Sequence, residues 1–221
     1  MTLDRSPRIA CIGVSDWDRL ISVTAYPKAG EFARVHEEVS AAGGPTCNTA
    51  AALARLGAEV GFATAIGDDE RGHLVLANLA AAGIDTRWVT VKPGQISTLA
   101  TVIVSREPLD RTIFVETGAQ LVRGDRLDVA GLFGGDVLVL DVADVSLRTF
   151  LLDLPAHTVP TARILGPLNH LANKGLPDAF ELTLRHDAIV SNEPDLLDVT
   201  GTWTLGDATA ALQHRMRREQ L

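Results

Sequence analysis

The sequence predicts an α/β fold: a doubly wound, mostly parallel sheet flanked by helices, with a small antiparallel β lid. Three observations predict it. Short apolar runs, at Arg8–Gly13, 60–66 and 136–142, alternate with helix-like segments. Glycines stand where helices should stop, at Gly57 and Gly83. Three β-rich runs, at 88–91, 98–105 and 111–116, follow one another with no helix between them, which suggests an antiparallel unit set apart from the βαβ body.

The elements follow in order. Arg8–Gly13 is an apolar run closed by glycine and reads as a buried parallel strand. Segments 19–24 and 32–39 read as exposed strands. In the second, Phe32, Arg34 and His36 alternate with Ala33, Val35 and Glu37. Ala42-Gly43-Gly44-Pro45-Thr46-Cys47-Asn48 reads as a turn opening into an Ala-rich helix over 49–56, ended by Gly57. A strand over 60–66 closes at Gly67-Asp68-Asp69, where Asp69 can cap a helix running to about Ala82. The strands at 19–24, 32–39, 88–91, 98–105 and 111–116 are expected to form the lid, contributed by about 19–39 and 88–116 of one 1–221 domain. The βαβ rhythm resumes with a strand over 136–142, a helix over 146–154, strands over 162–165 and 187–191, a helix opened by Asn192-Glu193-Pro194-Asp195, and a last helix from Asp207 to about Glu219. Gly134-Gly135-Asp136 reads as the entrance to a strand. The proline-bearing stretch 154–169 interrupts the rhythm, and Gly166 falls where a polar residue facing the site is expected.

Composition narrows the function. Twenty Lys+Arg against 28 Asp+Glu leave a net charge of −8. An acidic chain with no basic stripe is a poor match for nucleic acid or an anionic membrane, so neither is expected as a partner. No apolar run is long enough for a transmembrane helix. Residues 1–8 lack the apolar region of a signal peptide, and two cysteines, Cys11 and Cys47, are too few for a disulfide framework. A cytoplasmic protein with reduced thiols is the expectation. Six histidines are scattered without a metal-type pair and suit surface or structural roles. The cationic run His214-Arg215-Met216-Arg217-Arg218 suits a solvated helix end.

Two segments carry chemistry. Asp18 lies just past the first strand, at the edge where open α/β sheets bind ligands. Its two acceptor oxygens can hold two neighbouring hydroxyls, with Asp16 as a weaker partner that shapes the loop. On spacing alone, the commoner reading of such a residue is a carboxylate that caps or solvates a turn. Gly43 and Gly44 let backbone approach a ligand, and Asn48 supplies a donor and an acceptor one turn into the helix. The plainer alternative is an ordinary Gly-rich helix start.

The ordered set Gly13-Val14-Ser15-Asp16-Trp17-Asp18, Gly43-Gly44-Pro45-Thr46-Cys47-Asn48, Gly57, Gly67-Asp68-Asp69 and Asn192-Glu193-Pro194-Asp195 resembles the PfkB, or ribokinase-like, family of carbohydrate kinases from residue 8 to about 219. The resemblance implies ATP-dependent phosphorylation of a sugar or nucleoside hydroxyl. It implies substrate contacts at Asp16, Asp18, Gly43, Gly44 and Asn48, and a homodimer through the lid. It also implies that Asn192, Glu193 and Asp195 help to hold Mg²⁺ through water beside ATP, oxygen donors being what magnesium prefers. A helix N-terminus rich in acid explains those three residues equally well. Two departures stand out. Thr46 and Cys47 replace very small residues, and Asp195 replaces a Glu, with Glu193 as the neighbour that compensates. Cys47 is expected to be a small buried filler rather than a nucleophile.

The family's late motif Asp-Thr-x-Gly-Ala-Gly-Asp, which holds its base and anion hole, is not found in the sequence, so no catalytic residue is assigned. The expectation is a kinase domain shortened at its C-terminus, inactive or nearly so as 221 residues alone. The alternative is a non-catalytic sugar-binding or dimerising remnant of the fold. A Rossmann oxidoreductase is disfavoured, because Gly13-Val14-Ser15 is not the start of G-x-G-x-x-G.

Overall fold

The computed structural model describes residues 5–154, 162–168 and 179–219, and the side chains of all of these but 215–219. Pro155, His157, Pro160, Asn169, His170 and the Arg215 to Arg218 side chains therefore lie outside the described residues. The element order is β1 (Arg8–Gly13), β2 (Asp16–Val23), β3 (Val35–Gly43), α1 (Pro45–Arg55), β4 (Glu59–Gly67), α2 (Glu70–Ala81), β5 (Val89–Lys92), β6 (Leu99–Arg106), β7 (Leu109–Glu116), α3 (Val129–Phe133), β8 (Val137–Asp141), α4 (Val145–Asp153), β9 (Arg163–Pro167), α5 (Ala179–Leu184), β10 (Ala188–Val190), α6 (Glu193–Thr200) and α7 (Leu205–Glu219). The chain forms two compact units, Met1–Ile12 with Val122–Leu221, and Gly13–Leu121. Among the described residues no helix is long and apolar enough to cross a membrane.

The first unit is an α/β layer with strand order β10-β9-β8-β1. β8 and β9 are parallel with Val137 opposite Arg163, and β9 and β10 are parallel with Ala188 opposite Leu165. Leu138, Leu140, Leu147, Leu151 and Ile164 are buried in its core. Local chemistry sets the helix starts. Asp128, Asp144 and Asn192 each accept an N–H of the helix that follows, and Gly201 ends α6 in the left-handed region at φ 65°. The Gly134-Gly135 turn is a strand entrance, as read. The Asp136 N–H donates to the Arg8 carbonyl at 2.8 Å. The Arg5 guanidinium and the Arg8 N–H hold the Asp136 carboxyl down at about 2. Helices α3 and α5 fall outside the elements read from the sequence, and each is short, five and six residues long.

In the second unit β4 is buried along nearly its whole length and pairs in parallel with β5, Thr64 opposite Val89. This corrects the expectation that 88–91 joins the lid. Beside this pairing Gly61 leaves a seat for an aromatic ring: a side chain on Gly61 would meet the Trp88 ring at 2.5 Å. The Asp85 backbone meanwhile bonds on both sides of that glycine, to Val60 and Phe62. The four-stranded sheet has order β3-β2-β6-β7. It is mixed rather than antiparallel. β2–β3 and β6–β7 are antiparallel, but β2 and β6 run parallel with Trp17 opposite Leu99. β7 is exposed along its whole length, leaving Leu109, Ile113, Phe114 and Val115 uncovered. Two strands of this sheet also begin later or earlier than expected. Phe32 stays outside β3, which runs on to Gly43, and β2 already starts at Asp16.

Candidate functional site

Asp16 and Asp18 lie within β2 rather than in a loop beyond β1, which corrects the sequence reading of Asp18. They stand two residues apart and so share a face. Asp16 faces Gly43 across the ladder, and Asp18 faces Ala41 on β3 and Ala100 on β6. Small neighbours on both sides leave the carboxylates room. Gly43 is diagonal to Asp18, and the carboxylate lies over its bare α-carbon: a Cβ there would stand 1.9 Å from Asp18 Oδ2. At Gly44, with φ 90°, a Cβ would meet the Val14 carbonyl at 3.1 Å and Asp16 Oδ2 at 3.2 Å. Both carboxylates thus converge on the Gly43–Gly44 turn, the N-terminus of α1.

Gly44 is the N-cap residue of α1 and has no side chain to cap it, while the Gly44 N–H donates to the Asp18 carboxylate. Burial nevertheless dominates and raises the Asp18 carboxyl above its ordinary value, with the Gly44 bond opposing. Asn48 sits in the first turn of α1, where its N–H donates to the Gly44 carbonyl at 2.9 Å and its side chain is exposed. The helix begins at Pro45, earlier than the sequence suggested, because proline suits the first helical position. Thr46 and Cys47 are buried beneath this turn. Burial first, then the charges of Asp18 and Asp16, push the Cys47 thiol up to about 12. It is a filler, as expected, and both cysteines are free thiols. Native Cys47 is expected to resist iodoacetamide at pH 8 and to react once the chain is unfolded. Rapid stoichiometric labelling of the native protein, located by peptide mapping, would contradict that.

Asn192, Glu193 and Asp195 belong to the first unit. Asn192 caps α6: its Oδ1 accepts the Asp195 N–H at 2.8 Å and its Nδ2 donates to Asp195 Oδ2 at 3.0 Å. Asn192 and Glu193 are exposed, and the donors offered are oxygens. Among the described residues no three His, Cys, Asp or Glu side chains gather to grip a metal directly. The set therefore fits a hydrated magnesium ion held through its waters and does not fit a dehydrated one.

Sequence reasoning missed a buried polar cluster in the first unit. Arg148 on α4 and Asp141 at the end of β8 are both about 2% exposed and lie 3.9 Å apart. The Arg148 guanidinium also donates to the Val142 carbonyl. Gly166 lacks the polar side chain expected there, and the His186 ring takes the space: a Cβ on Gly166 would stand 2.7 Å from its Nε2. His186 Nδ1 bonds the Leu182 and Thr183 carbonyls, and burial holds the imidazole below its usual value, aided by the Arg148 charge. No sequence signal pairs positions 141, 148, 166 and 186.

Comparisons with known proteins place the chain among sugar kinases by family and by fold. The chain is 29% identical over 195 residues to the ribokinase of Staphylococcus aureus, covering 85% of this chain and 61% of that protein's length. It thus spans about three fifths of the relative it matches. A crystal structure from Agrobacterium tumefaciens superposes with TM-score 0.79 at 26% identity, over 96% of this chain and 67% of that one. The structure of Arabidopsis thaliana ribokinase complexed with ribose and ATP superposes with TM-score 0.73 at 20% identity, over 96% and 70%, a likeness of fold. Residues 7–217 match the pfkB family carbohydrate kinase pattern, and with the carboxylates of β2 meeting the glycine turn of α1, the chain belongs to the pfkB family of carbohydrate kinases.

Proposed function

We propose that this chain carries the acceptor-binding part of a kinase that transfers a phosphoryl group from ATP to a hydroxyl of a sugar or nucleoside. The convergence of Asp16 and Asp18 on the Gly43–Gly44 turn carries the reading. Asp18 accepts hydrogen bonds from two neighbouring substrate hydroxyls, Asp16 and Gly44 shape the floor, and Asn48 contributes a donor and an acceptor. Asn192, Glu193 and Asp195 orient the waters of Mg²⁺, which, when bound, neutralises charge on the ATP phosphates. The base and the anion hole are assigned to no residue of this chain. The uncovered apolar side chains of β7 support a homodimer through the lid sheet. We place the protein in the cytoplasm.

Calorimetry with D-ribose, 2-deoxy-D-ribose, D-fructose and adenosine tests the reading. At least one should bind, and Asp18→Ala should weaken it by about 1.5–3 kcal/mol, roughly ten- to hundredfold. Unchanged affinity in a folded Asp18→Ala variant rejects the role. The pH dependence has opposite signs for binding and for stability. Affinity should grow as pH rises through the raised pKa of Asp18, because the ionised form is the better acceptor. The ligand-free fold holds the Asp18 proton more tightly than the unfolded chain does. Its contribution to stability is therefore complete below the ordinary value of 3.8 and is lost as pH rises through the raised one. Asp18→Asn should flatten this slope and raise the thermal midpoint at neutral pH while losing the sugar.

A further inference from the structure

Gly67-Asp68-Asp69 lies at the start of α2, outside the acceptor turn of α1. Asp69 is the N-cap of α2 and accepts the Gly72 N–H at 2.9 Å, a task that needs one oxygen. Here both are engaged. Ser97 Oγ donates to Oδ1 at 2.6 Å, and the Ser97 N–H donates to Oδ2 at 3.1 Å. Ser97 Oγ in turn accepts the Gly67 N–H at 2.9 Å. The next residue, Thr98, is fastened at both ends. Its hydroxyl accepts the Gly118 N–H at 3.0 Å, and its carbonyl accepts the Trp17 N–H at 2.9 Å. Trp17 is the residue between Asp16 and Asp18. Ser97 and Thr98 are each 2% exposed, so the middle of this path from helix cap to substrate strand is shielded from water, while Asp69 and Trp17 at its ends are half-buried.

Bare α-carbons close the clamp. A Cβ on Gly67 would stand 2.2 Å from the Gln95 carbonyl oxygen, and one on Gly118 2.3 Å from that of Ile96. A Cβ on Gly72 would stand 2.3 Å from the Gly67 carbonyl oxygen. A helix cap alone requires neither the second oxygen nor these approaches. Burial works against ionisation of Asp69, but the bonds from Ser97 and Gly72 win and hold its carboxyl below the usual value.

The geometry points to Asp69 as a positioning residue that, through Ser97 and Thr98, sets where β2 presents Asp16 and Asp18. This rests on the reading of those two carboxylates as acceptor ligands. Asp69→Asn separates positioning from capping. Asparagine caps helices as well as aspartate does, but its amide would turn a donor toward the Ser97 N–H. In the 221-residue chain, amide hydrogen exchange by NMR and calorimetry with D-ribose, 2-deoxy-D-ribose, D-fructose and adenosine read the outcome. We expect α2 amides to keep their protection, the Trp17 amide to exchange about tenfold faster and affinity to fall about tenfold. Wild-type exchange at Trp17 in folded Asp69→Asn overturns the proposal, whatever the affinity does. So does equal loss of protection in α2 and at Trp17, which marks a cap and nothing more. If Asp69→Asn does not fold, Ser97→Ala removes the hydroxyl link to Asp69 Oδ1 while leaving the Ser97 N–H on Oδ2, and it is read by the same criteria. Wild-type protein that binds none of the four compounds would remove the Asp18 reading, and the exchange at Trp17 would still decide the role of Asp69.

Discussion

Gly43→Ala is expected to lose substrate affinity about as severely as Asp18→Ala, although position 43 offers a ligand no side chain. The new methyl would overlap the Asp18 carboxylate, 1.9 Å from Oδ2, 2.3 Å from Cγ and 2.8 Å from Oδ1. Real contacts are never this close, so one group must leave. The methyl is fixed to a strand paired along its length with β2, whereas the Asp18 side chain can rotate about χ1. Rotation carries the carboxylate away from the Gly44 N–H and off the face it shares with Asp16. The expected outcome is a roughly ten- to hundredfold loss of affinity for whichever compound the wild type binds, with a smaller loss of stability. Gly57→Ala is the control. Its φ of 91° strains any side chain, yet nothing lies within 4 Å of the added atom, so stability should fall by about 1 kcal/mol with affinity intact. Wild-type affinity in Gly43→Ala would show that the position of Asp18 does not matter to binding.

The largest effect on stability is expected at the buried pair of the first unit. Arg148 and Asp141 are each about 2% exposed, 3.9 Å apart, and the guanidinium is further held by the Val142 carbonyl. Burial lowers the Arg148 pKa to about 10, against the pull of Asp141, so the side chain remains a cation at neutral pH. Removing Asp141 alone strands that charge away from water. Asp141→Leu should cost about 3–5 kcal/mol, a large share of the stability of an ordinary domain. Arg148→Met strands the opposite charge and should cost a similar amount. The double variant, with no charge to strand, should be more stable than either single one. Urea denaturation followed by far-ultraviolet circular dichroism measures all three. If the single losses simply add in the double variant, the two groups are not coupled and this account of the cluster is wrong.

The parts legible in the sequence are those decided within a few residues. The Asp69 and Asn192 caps, the stop at Gly57 and the glycine turn before α1 follow from backbone donors left open at helix ends and from conformations that only glycine adopts freely. The buried strands β1 and β4 follow from short, mostly apolar runs. The candidate ligands Asp16, Asp18, Gly43 and Gly44 were named from spacing and resemblance, and the structure gathers them at one turn.

Tertiary structure alone decided which strand lies beside which. Segment 89–92 has the composition of a lid strand, yet it pairs with β4, where Gly61 leaves a flat seat for Trp88. β2 and β6 are more than eighty residues apart in register, Trp17 opposite Leu99, and run parallel, a pairing that no local propensity encodes. That pairing puts Asp18 inside a strand, and it brings the Thr98 carbonyl to the Trp17 N–H. Nothing within its own helix marks Arg148 for burial, yet the fold buries it beside Asp141. The physical reason is common to all of these. Caps and turns satisfy donors on neighbouring residues, whereas strand partners and buried charges are chosen by space and desolvation across the folded chain, which the order of residues does not display.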